Sequence, residues 1–530
     1  MDKLESVLIA GAWQPSIAPQ GSFHASDPAR AAAIGPHFPV SGPADVEAAV
    51  QAAARAAAEL AATPAERIAG FLDAYADAIA ADGDALVALA HAETALPMEP
   101  RLRSGELPRT VDQLRQAARA ARRYTWTDPV IDTRAGLRTH RAPLGKPVLV
   151  FGPNNFPFAF NAVAGSDFAS ALAARNPVIA KAHPLHPATS QRLAMLAHQA
   201  VLSANLPAAS VQMLYHFDSA TGLALAGDTR LGAIGFTGSR HGGLALKAAA
   251  DQSGVPFYAE LSSVNPVFLL PGALAQRGGE ALAQEFFASC TMGSGQFCTN
   301  PGVLVVPVDA GAGQAFLDAA TALFETSAPK LLFSRDGQRG VERAVASLRE
   351  AGAGVLAGGD PGAGEGFRYR PTLLGVDAAA FLRNAEALQT EAFGPVSLVV
   401  RASGLAEMVA VAAAFEGNLT GTMYRADDGG DDAAWQAIAA ELRPRVGRLI
   451  ADKMPTGVAV SSAMNHGGPF PATGHPGFTA VGMPAAIHRF TALHCHDGVP
   501  DALLPVELRN RNPGGVQRLV DGQWSTADID

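Results

Sequence analysis

Between residue 147 and about residue 260 the chain keeps setting a short, wholly apolar run beside a helix-like stretch. That alternation limits the fold more than any other feature. Pro147-Val148-Leu149-Val150-Phe151 reads as a strand buried on both faces, and Gly152 to Pro157 leads into a small-residue helix expected over Ala159 to Ala174. Pro177-Val178-Ile179-Ala180-Lys181 is the next strand and Pro187 to Ala204 the next helix, followed by strands at Val211 to Leu214 and Gly232 to Phe236. Strands apolar on both sides need cover on both sides, and helices at this spacing supply it. The class is therefore α/β, with a parallel doubly wound sheet. A second alternation runs from about 262 to 460, so a chain of 530 residues divides into more than one core.

The remaining segments fit around these two units. Residues 1–43 are rich in Pro and Gly and predict an irregular arm with short strands. Ala44 to Ala62, Pro64 to Asp82, Asp84 to Glu93 and Leu107 to Tyr124 predict helices, the last bearing Arg109, Arg115, Arg119, Arg122 and Arg123. Asp128 to Pro147 alternates like a hairpin, and Asp427 to Asp432 reads as an acidic surface turn. A net charge of −9 gives no basic face for nucleic acid, and three cysteines give no disulfide framework. No apolar run is long enough to span a membrane, and the N-terminus lacks the order of a signal peptide, so a cytoplasmic setting is the default. His and Cys residues are scattered without ligand spacing, so no metal site is expected.

Several separated pieces carry possible chemistry. In Gly293-Ser294-Gly295-Gln296-Phe297-Cys298-Thr299-Asn300 a cysteine lies among small and polar residues between a helix-like and a strand-like run. Taken alone, Cys298 is either a small buried hydrophobe or a nucleophile, since only a thiolate attacks well. Asn155 follows a strand's carboxyl end, where its amide is either a turn residue or an oxyanion donor. Glu260 closes the run Val255 to Ala259, as a salt-bridged strand end or as a general base. Gly235-Phe236-Thr237-Gly238-Ser239-Arg240-His241-Gly242-Gly243 is a strand-to-helix turn whose N–H groups suit a phosphate, although it lacks the G-x-G-x-x-G spacing. Lys181-Ala182-His183-Pro184 and Glu391-Ala392-Phe393-Gly394-Pro395 complete the set.

Taken in order, Pro153-Asn154-Asn155-Phe156-Pro157, the Gly238-Ser239 turn with Gly243, Glu260-Leu261, Gly295 to Thr299 and Glu391 to Pro395 resemble the aldehyde dehydrogenase superfamily from about residue 5 to 490. The resemblance implies that Cys298 attacks the aldehyde carbon, that Asn155 and the Cys298 N–H bind the resulting oxygen, and that Glu260 activates the water that hydrolyses the thioester. It also implies that Lys181 reaches the adenosine ribose, Gly238, Ser239 and Gly243 form the pyrophosphate turn, and Glu391 and Phe393 meet the nicotinamide ribose and ring. Two positions depart from the usual pattern. Pro184 stands where many NAD-preferring members have a Glu, which favours NADP over NAD. Ala164 stands where many have a proton-relaying Lys, which leaves water to carry the proton from Glu260.

Within the superfamily, Asn155 to Phe160, Glu93-Thr94-Ala95-Leu96-Pro97 and Ser262-Ser263-Val264-Asn265-Pro266 resemble a branch that holds α-ketoglutaric semialdehyde (2,5-dioxopentanoate) dehydrogenases and an NADP-dependent fatty aldehyde dehydrogenase. For the semialdehyde, Arg109 aligns with a tunnel-lining position and would bind the substrate carboxylate. For a fatty aldehyde, Phe156, Phe160 and Val163 would line an apolar tunnel. A reading from another class is a cysteine hydrolase or acyltransferase, which needs a base such as His241, His466 or His475 near the thiol. The resemblance implies a Rossmann-type cofactor domain (1–127 and 147–260), an α/β catalytic domain (261–470), and a small β oligomerisation element with the C-terminal tail (128–146 and 471–530). It also implies a homodimer or homotetramer.

Overall fold

The computed structural model describes residues 3–308 and 311–530. Its first sheet has seven strands, in the order Phe257–Glu260, Ala233–Thr237, Val148–Phe151, Val178–Lys181, Val211–Leu214, Val7–Ile9 and Ala12–Gln14. The first five are parallel, and the N-terminal hairpin adds to the far edge antiparallel. Val148 to Phe151 is buried at every position, as strands covered on both faces should be. The register places Phe151 beside Lys181 and Phe236, and Thr237 beside Glu260, so the strand ends that carry polar side chains share one carboxyl edge. Parallel sheets bind ligands at that edge.

The second sheet also has seven strands, ordered Gly354–Ala357, Thr372–Asp377, Val396–Ala402, Val303–Pro307, Val267–Leu269, Asn418–Tyr424 and Val446–Ala451. Only the Gly354–Ala357 edge is antiparallel to its neighbour. Together these sheets realise the α/β class and the pair of cores that the alternation predicts. Among the described residues no helix is long and apolar enough to cross a membrane.

A five-stranded sheet, Thr491–Asp497, Leu137–Pro143, Val130–Asp132, Arg518–Val520 and Gln523–Ser525, forms a third body from the hairpin and the tail. Ile131, Leu504 and Leu508 make its small core. The Arg518 side chain is wholly buried and donates to the backbone carbonyls of Arg509 and of Ala527 (2.6 Å).

Three details differ from the sequence expectation. The helix expected over 159–174 forms only over Ser166–Ala173. Asn161 donates to the Pro157 carbonyl (2.9 Å) and accepts from the Val163 N–H (3.0 Å), a local bonding pattern that competes with helix. Residues 472–490 belong with the first sheet rather than the small one, since Met483, Ala486, Ile487 and Phe490 join its core and Arg489 pairs with Asp167. The turn at 427–432 is not wholly a surface feature. Asp431 is buried and accepts the N–H groups of Gly272, Ala273 and Ala426 at 2.8–2.9 Å.

Removing the tail would uncover Ile131 and delete Leu504 and Leu508, each worth about 1.5–3 kcal/mol of burial. A chain ending at Asp497 should therefore lose roughly 4.5–9 kcal/mol, read as a lower urea midpoint than the full chain. An unchanged midpoint would mean that the tail does not support the sheet.

Candidate active site

Cys298 stands in the turn after the helix Gly279–Thr291, at the mouth of the cleft between the two large sheets. Its backbone is fixed by Asn265, whose side-chain amide donates to the carbonyls of Cys298 and Asn300, both at 2.9 Å. Asn265 is itself held, its amide oxygen accepting from the hydroxyls of Ser263 (2.9 Å) and Thr420 (3.1 Å). Cys298 Sγ lies 3.1 Å from His466 Nε2, and the same nitrogen lies 2.9 Å from Glu260 Oε1. Burial first, and then the Glu260 carboxylate, push the Cys298 thiol well above the usual range, against the opposing pull of Arg109. At neutral pH the sulfur therefore holds its proton until a base takes it, and His466 and Glu260 are both in reach.

The sequence expectation of scattered histidines does not survive folding. The ligand atoms of Glu260, Cys298 and His466 all lie within 4.8 Å of one another, a donor set that could also hold a divalent ion. The sequence reading considered His466 only as a hydrolase base, and it arrives from 168 residues away. The segment His466-Gly467-Gly468-Pro469 crosses the ends of two strands of the second sheet, and glycine permits the approach. A Cβ on Gly447 would stand 1.4 Å from the Gly467 carbonyl oxygen, and one on Gly468 would stand 2.0 Å from that of Asn418. The backbone N–H of His466 then donates to Thr479 (3.0 Å), which fixes the strap lengthwise.

Asn155 is buried, and its Nδ2 donates to the Gln296 carbonyl at 2.9 Å, leaving one amide hydrogen for a ligand oxygen. The loop that carries it is pinned by two residues absent from the sequence reading. Buried Glu106 accepts the N–H groups of Phe158 (2.7 Å) and Ala159 (2.9 Å) and pairs with Arg101. Arg101 in turn donates to the Asn155 carbonyl (2.8 Å) and covers the Phe156 ring at 4.5 Å. Phe156 stands edge-on to Phe297 (5.5 Å) and Phe160 (5.1 Å), and Phe160 lies 6.0 Å from the His466 ring. Arg109 lies over Phe160 at 5.0 Å and donates to the Val458 carbonyl (2.9 Å). An acidic residue five positions after an arginine in a charged segment was the only signal for Arg101 and Glu106, and such pairs are usually solvated.

From Cys298 a cleft of about 450 Å³ runs past Glu391 and Phe393 to Gly238, Ser239 and His183. Ser239 caps the helix Arg240–Gln252 by accepting from the Gly242 N–H (3.3 Å). A Cβ on Gly243 would stand 2.3 Å from Leu261, so that helix can lie flush on the cleft wall only with glycine there. Lys181 ends its strand with no hydrogen bond or ion pair among the described residues, and burial pushes its ammonium down to about 8. Burial pushes Glu391 up to about 7, although it accepts from the Ser262 hydroxyl and the Ser263 N–H. A half-buried cation without a partner two residues from His183 of the lining, a capped helix start and a half-buried carboxylate on the cleft wall suit a dinucleotide. Lys181 and Ser239 would hold its adenosine end, and Glu391 and Phe393 its nicotinamide end.

Residues 13–492 match the aldehyde dehydrogenase family. The chain is 43% identical over 522 residues to alpha-ketoglutaric semialdehyde dehydrogenase 2 of Azospirillum brasilense, covering 95% of this chain and 96% of the relative. It is 37% identical over 467 residues to alpha-ketoglutaric semialdehyde dehydrogenase of Acinetobacter baylyi, with 86% of each chain covered. Its fold resembles that of lactaldehyde dehydrogenase from Escherichia coli, with a TM-score of 0.79 at 22% identity over 94% of this chain and 99% of that one. The Cys298–His466 contact by itself would also suit a cysteine hydrolase, and the match over nearly the whole length decides between the two readings. The chain belongs to the aldehyde dehydrogenase family.

Proposed function

We propose that this aldehyde dehydrogenase oxidises 2,5-dioxopentanoate to 2-oxoglutarate, with NADP⁺ preferred to NAD⁺. The observation that carries the chemistry is the sulfur of Cys298 at 3.1 Å from His466, itself 2.9 Å from Glu260. The substrate reading is supported by the two relatives of that activity and by the Arg109 guanidinium over the tunnel wall of Phe156 and Phe160.

In this reading His466 Nε2 takes the thiol proton as sulfur bonds to the aldehyde carbon. The oxygen that becomes an alkoxide is held by the free amide hydrogen of Asn155 and by the Cys298 N–H. When bound, the nicotinamide supplies the hydride acceptor. The oxidised adduct is a Cys298 thioester. Glu260 takes a proton from water as that water adds to the acyl carbon, the carbon–sulfur bond breaks, and the thiol regains a proton from His466. With Ala164 buried where a lysine could have served, His466 also gives Glu260 a direct route for its proton, in place of the water-only route expected from sequence.

The turn after Lys181 supports the cofactor preference. It carries His183 and Pro184; burial first, and then the basic neighbours His186, Lys181 and His216, hold His183 below its usual range, and of these Lys181 is the cation at neutral pH. A ribose 2′-phosphate placed there meets no carboxylate from that turn. The outer edge of Thr491–Asp497, with Leu493 68% exposed, is where a second copy would add a strand to form the expected homodimer or homotetramer. The aromatic wall of Phe156, Phe160 and Phe297 supports a second substrate reading, a medium-chain or fatty aldehyde.

Two outcomes test these roles. His466→Asn should lower kcat/KM at pH 7 by about 10²–10⁴, and its rate should go on rising with pH, because attack then waits for a thiol whose ionisation burial has moved upward. Gly447→Ala, which displaces the strap, should copy that pH profile. A pH profile unmoved in both variants would remove His466 from proton transfer. Separately, initial rates at 340 nm with 2,5-dioxopentanoate and octanal should favour the keto acid. NADP⁺ should exceed NAD⁺ by about tenfold in kcat/KM, the worth of ~1.4 kcal/mol. A preference for NAD⁺ would mean that the 181–184 turn reads ribose hydroxyls instead.

A further inference from the structure

Three arginines stand behind the catalytic end of the cleft, Arg101 and Arg109 over its Phe156 and Phe160 wall and Arg448 near Cys298 and Glu260, and they differ in how their charge is met. Arg101 is neutralised by Glu106. Arg109 and Arg448 make no ion pair among the described residues, and the Nε atom of each is buried without a hydrogen-bond partner. Their contacts are with backbone only, apart from aromatic and thioether neighbours. Arg109 donates to the carbonyl of Val458 (2.9 Å), and Arg448 makes two long bonds, both 3.3 Å, to the carbonyl of Gly457.

These two side chains converge although their residues are far apart in sequence. Gly457 and Val458 are consecutive, and the Gly457 N–H donates to the hydroxyl of Thr299 (3.2 Å), the residue after the nucleophile. Arg448 lies opposite Thr420 in the strand pair, and Thr420 bonds Asn265, the residue that fixes the Cys298 carbonyl. Arg448 Nη1 also reaches Met464 Sδ at 3.9 Å, two residues before His466. Both guanidiniums are thereby tied to the segments that hold Cys298 and His466, and Cys298 and Glu260 are acidic neighbours of each. Burial opposes both charges, and the only acidic groups that favour Arg448 are Cys298 and Glu260 themselves. Two half-buried cations that share no carboxylate, each with a buried Nε lacking a hydrogen-bond partner, form an anion-ready pocket, because an anionic ligand relieves the cost of that unmet donor and unpaired charge.

We propose that Arg109 and Arg448 together form the subsite that receives the 2-oxo-carboxylate end of the substrate. This rests on the semialdehyde reading above and adds Arg448, which no sequence feature marked. The chemistry matches in number as well as sign. An α-keto acid offers two carboxylate oxygens and a neighbouring carbonyl oxygen, all acceptors, and two planar guanidiniums offer donors on two sides of that group. A simple aliphatic aldehyde offers none of these, so the subsite discriminates by leaving two charges unpaired when the wrong substrate enters. Arg109 also stacks on the aromatic wall, which holds its fork in the tunnel rather than in solvent.

The test compares wild type, Arg109→Met and Arg448→Met on 2,5-dioxopentanoate, 5-oxopentanoate (the carboxylate without the keto group) and pentanal. The ratio of kcat/KM for 2,5-dioxopentanoate over pentanal should fall by at least about tenfold in each variant, the loss expected for one charge-assisted contact, and further in the double variant. Competitive inhibition by 2-oxopentanoate, which lacks the aldehyde, should weaken in parallel. Arg448→Lys keeps the charge without the fork and should restore part of the ratio. It also serves as the measurement if the Met variant fails to fold. If wild type used pentanal as well as the keto acid, the substrate reading would fall and the subsite with it. If wild type preferred the keto acid but Arg448→Met lowered all three substrates together, the substrate reading would stand. Arg448 would then be only a prop for the 457–458 loop, and the proposal would be overturned.

Discussion

One imidazole nitrogen, touching a thiol on one side and a carboxylate on the other, is the contact on which the site depends. A buried thiol beside a carboxylate is held in its protonated, unreactive form, because ionising it would place a second negative charge next to the first. A histidine between them resolves the conflict. It can accept the thiol proton and, once cationic, it lies within bonding distance of both anions. The surrounding structure holds that nitrogen in place. Asn265 fixes the turn beneath Cys298, the end of the first sheet delivers Glu260, and the glycine-floored strap sets the height of His466.

Charge burial is used in two opposite ways in the same few ångströms. Glu106 and Arg101 are paired, and the Glu106 carboxylate is further satisfied by two backbone N–H groups, so the pair acts as a rigid bracket for the Asn155 loop. Removing one partner of such a bracket would leave an uncompensated buried charge, which makes the loop's position costly to disturb. Arg109, Lys181 and Arg448 are half-buried and make no ion pair among the described residues. Groups left in that condition are candidates for meeting ligands, and here Lys181 stands two residues from His183 of the cleft lining while Arg109 packs on its Phe156 and Phe160.

The central strands were legible in the sequence because they are covered on both faces and so read as unbroken apolar runs. Cys298, Asn155 and Glu260 were legible because each stands in a local run that resembles a known motif, and the fold brings all three to one cleft. His466 was not legible as part of that group. It reaches the site through a segment without helix or strand periodicity, and only the strand ends beneath it show why glycines surround it. Residues 159–165 misled because small apolar residues favour helix locally while the Asn161 side chain bonds its own turn. The strands of the tail were not individually legible for a simpler reason. Its strands, Arg518–Val520 and Gln523–Ser525, are three residues each, too short to show a period.

The small sheet presents two unlike flanks. On one side the seven-residue strand Thr491–Asp497 pairs with Leu137–Pro143 and has no second neighbour among the described residues. On the other, the tail covers Val130–Asp132 and ends the sheet in a three-residue strand. A strand that short offers a poor template for further pairing. The sheet's open main-chain donors and acceptors are thereby gathered on the long flank, and the short flank offers little to a further strand.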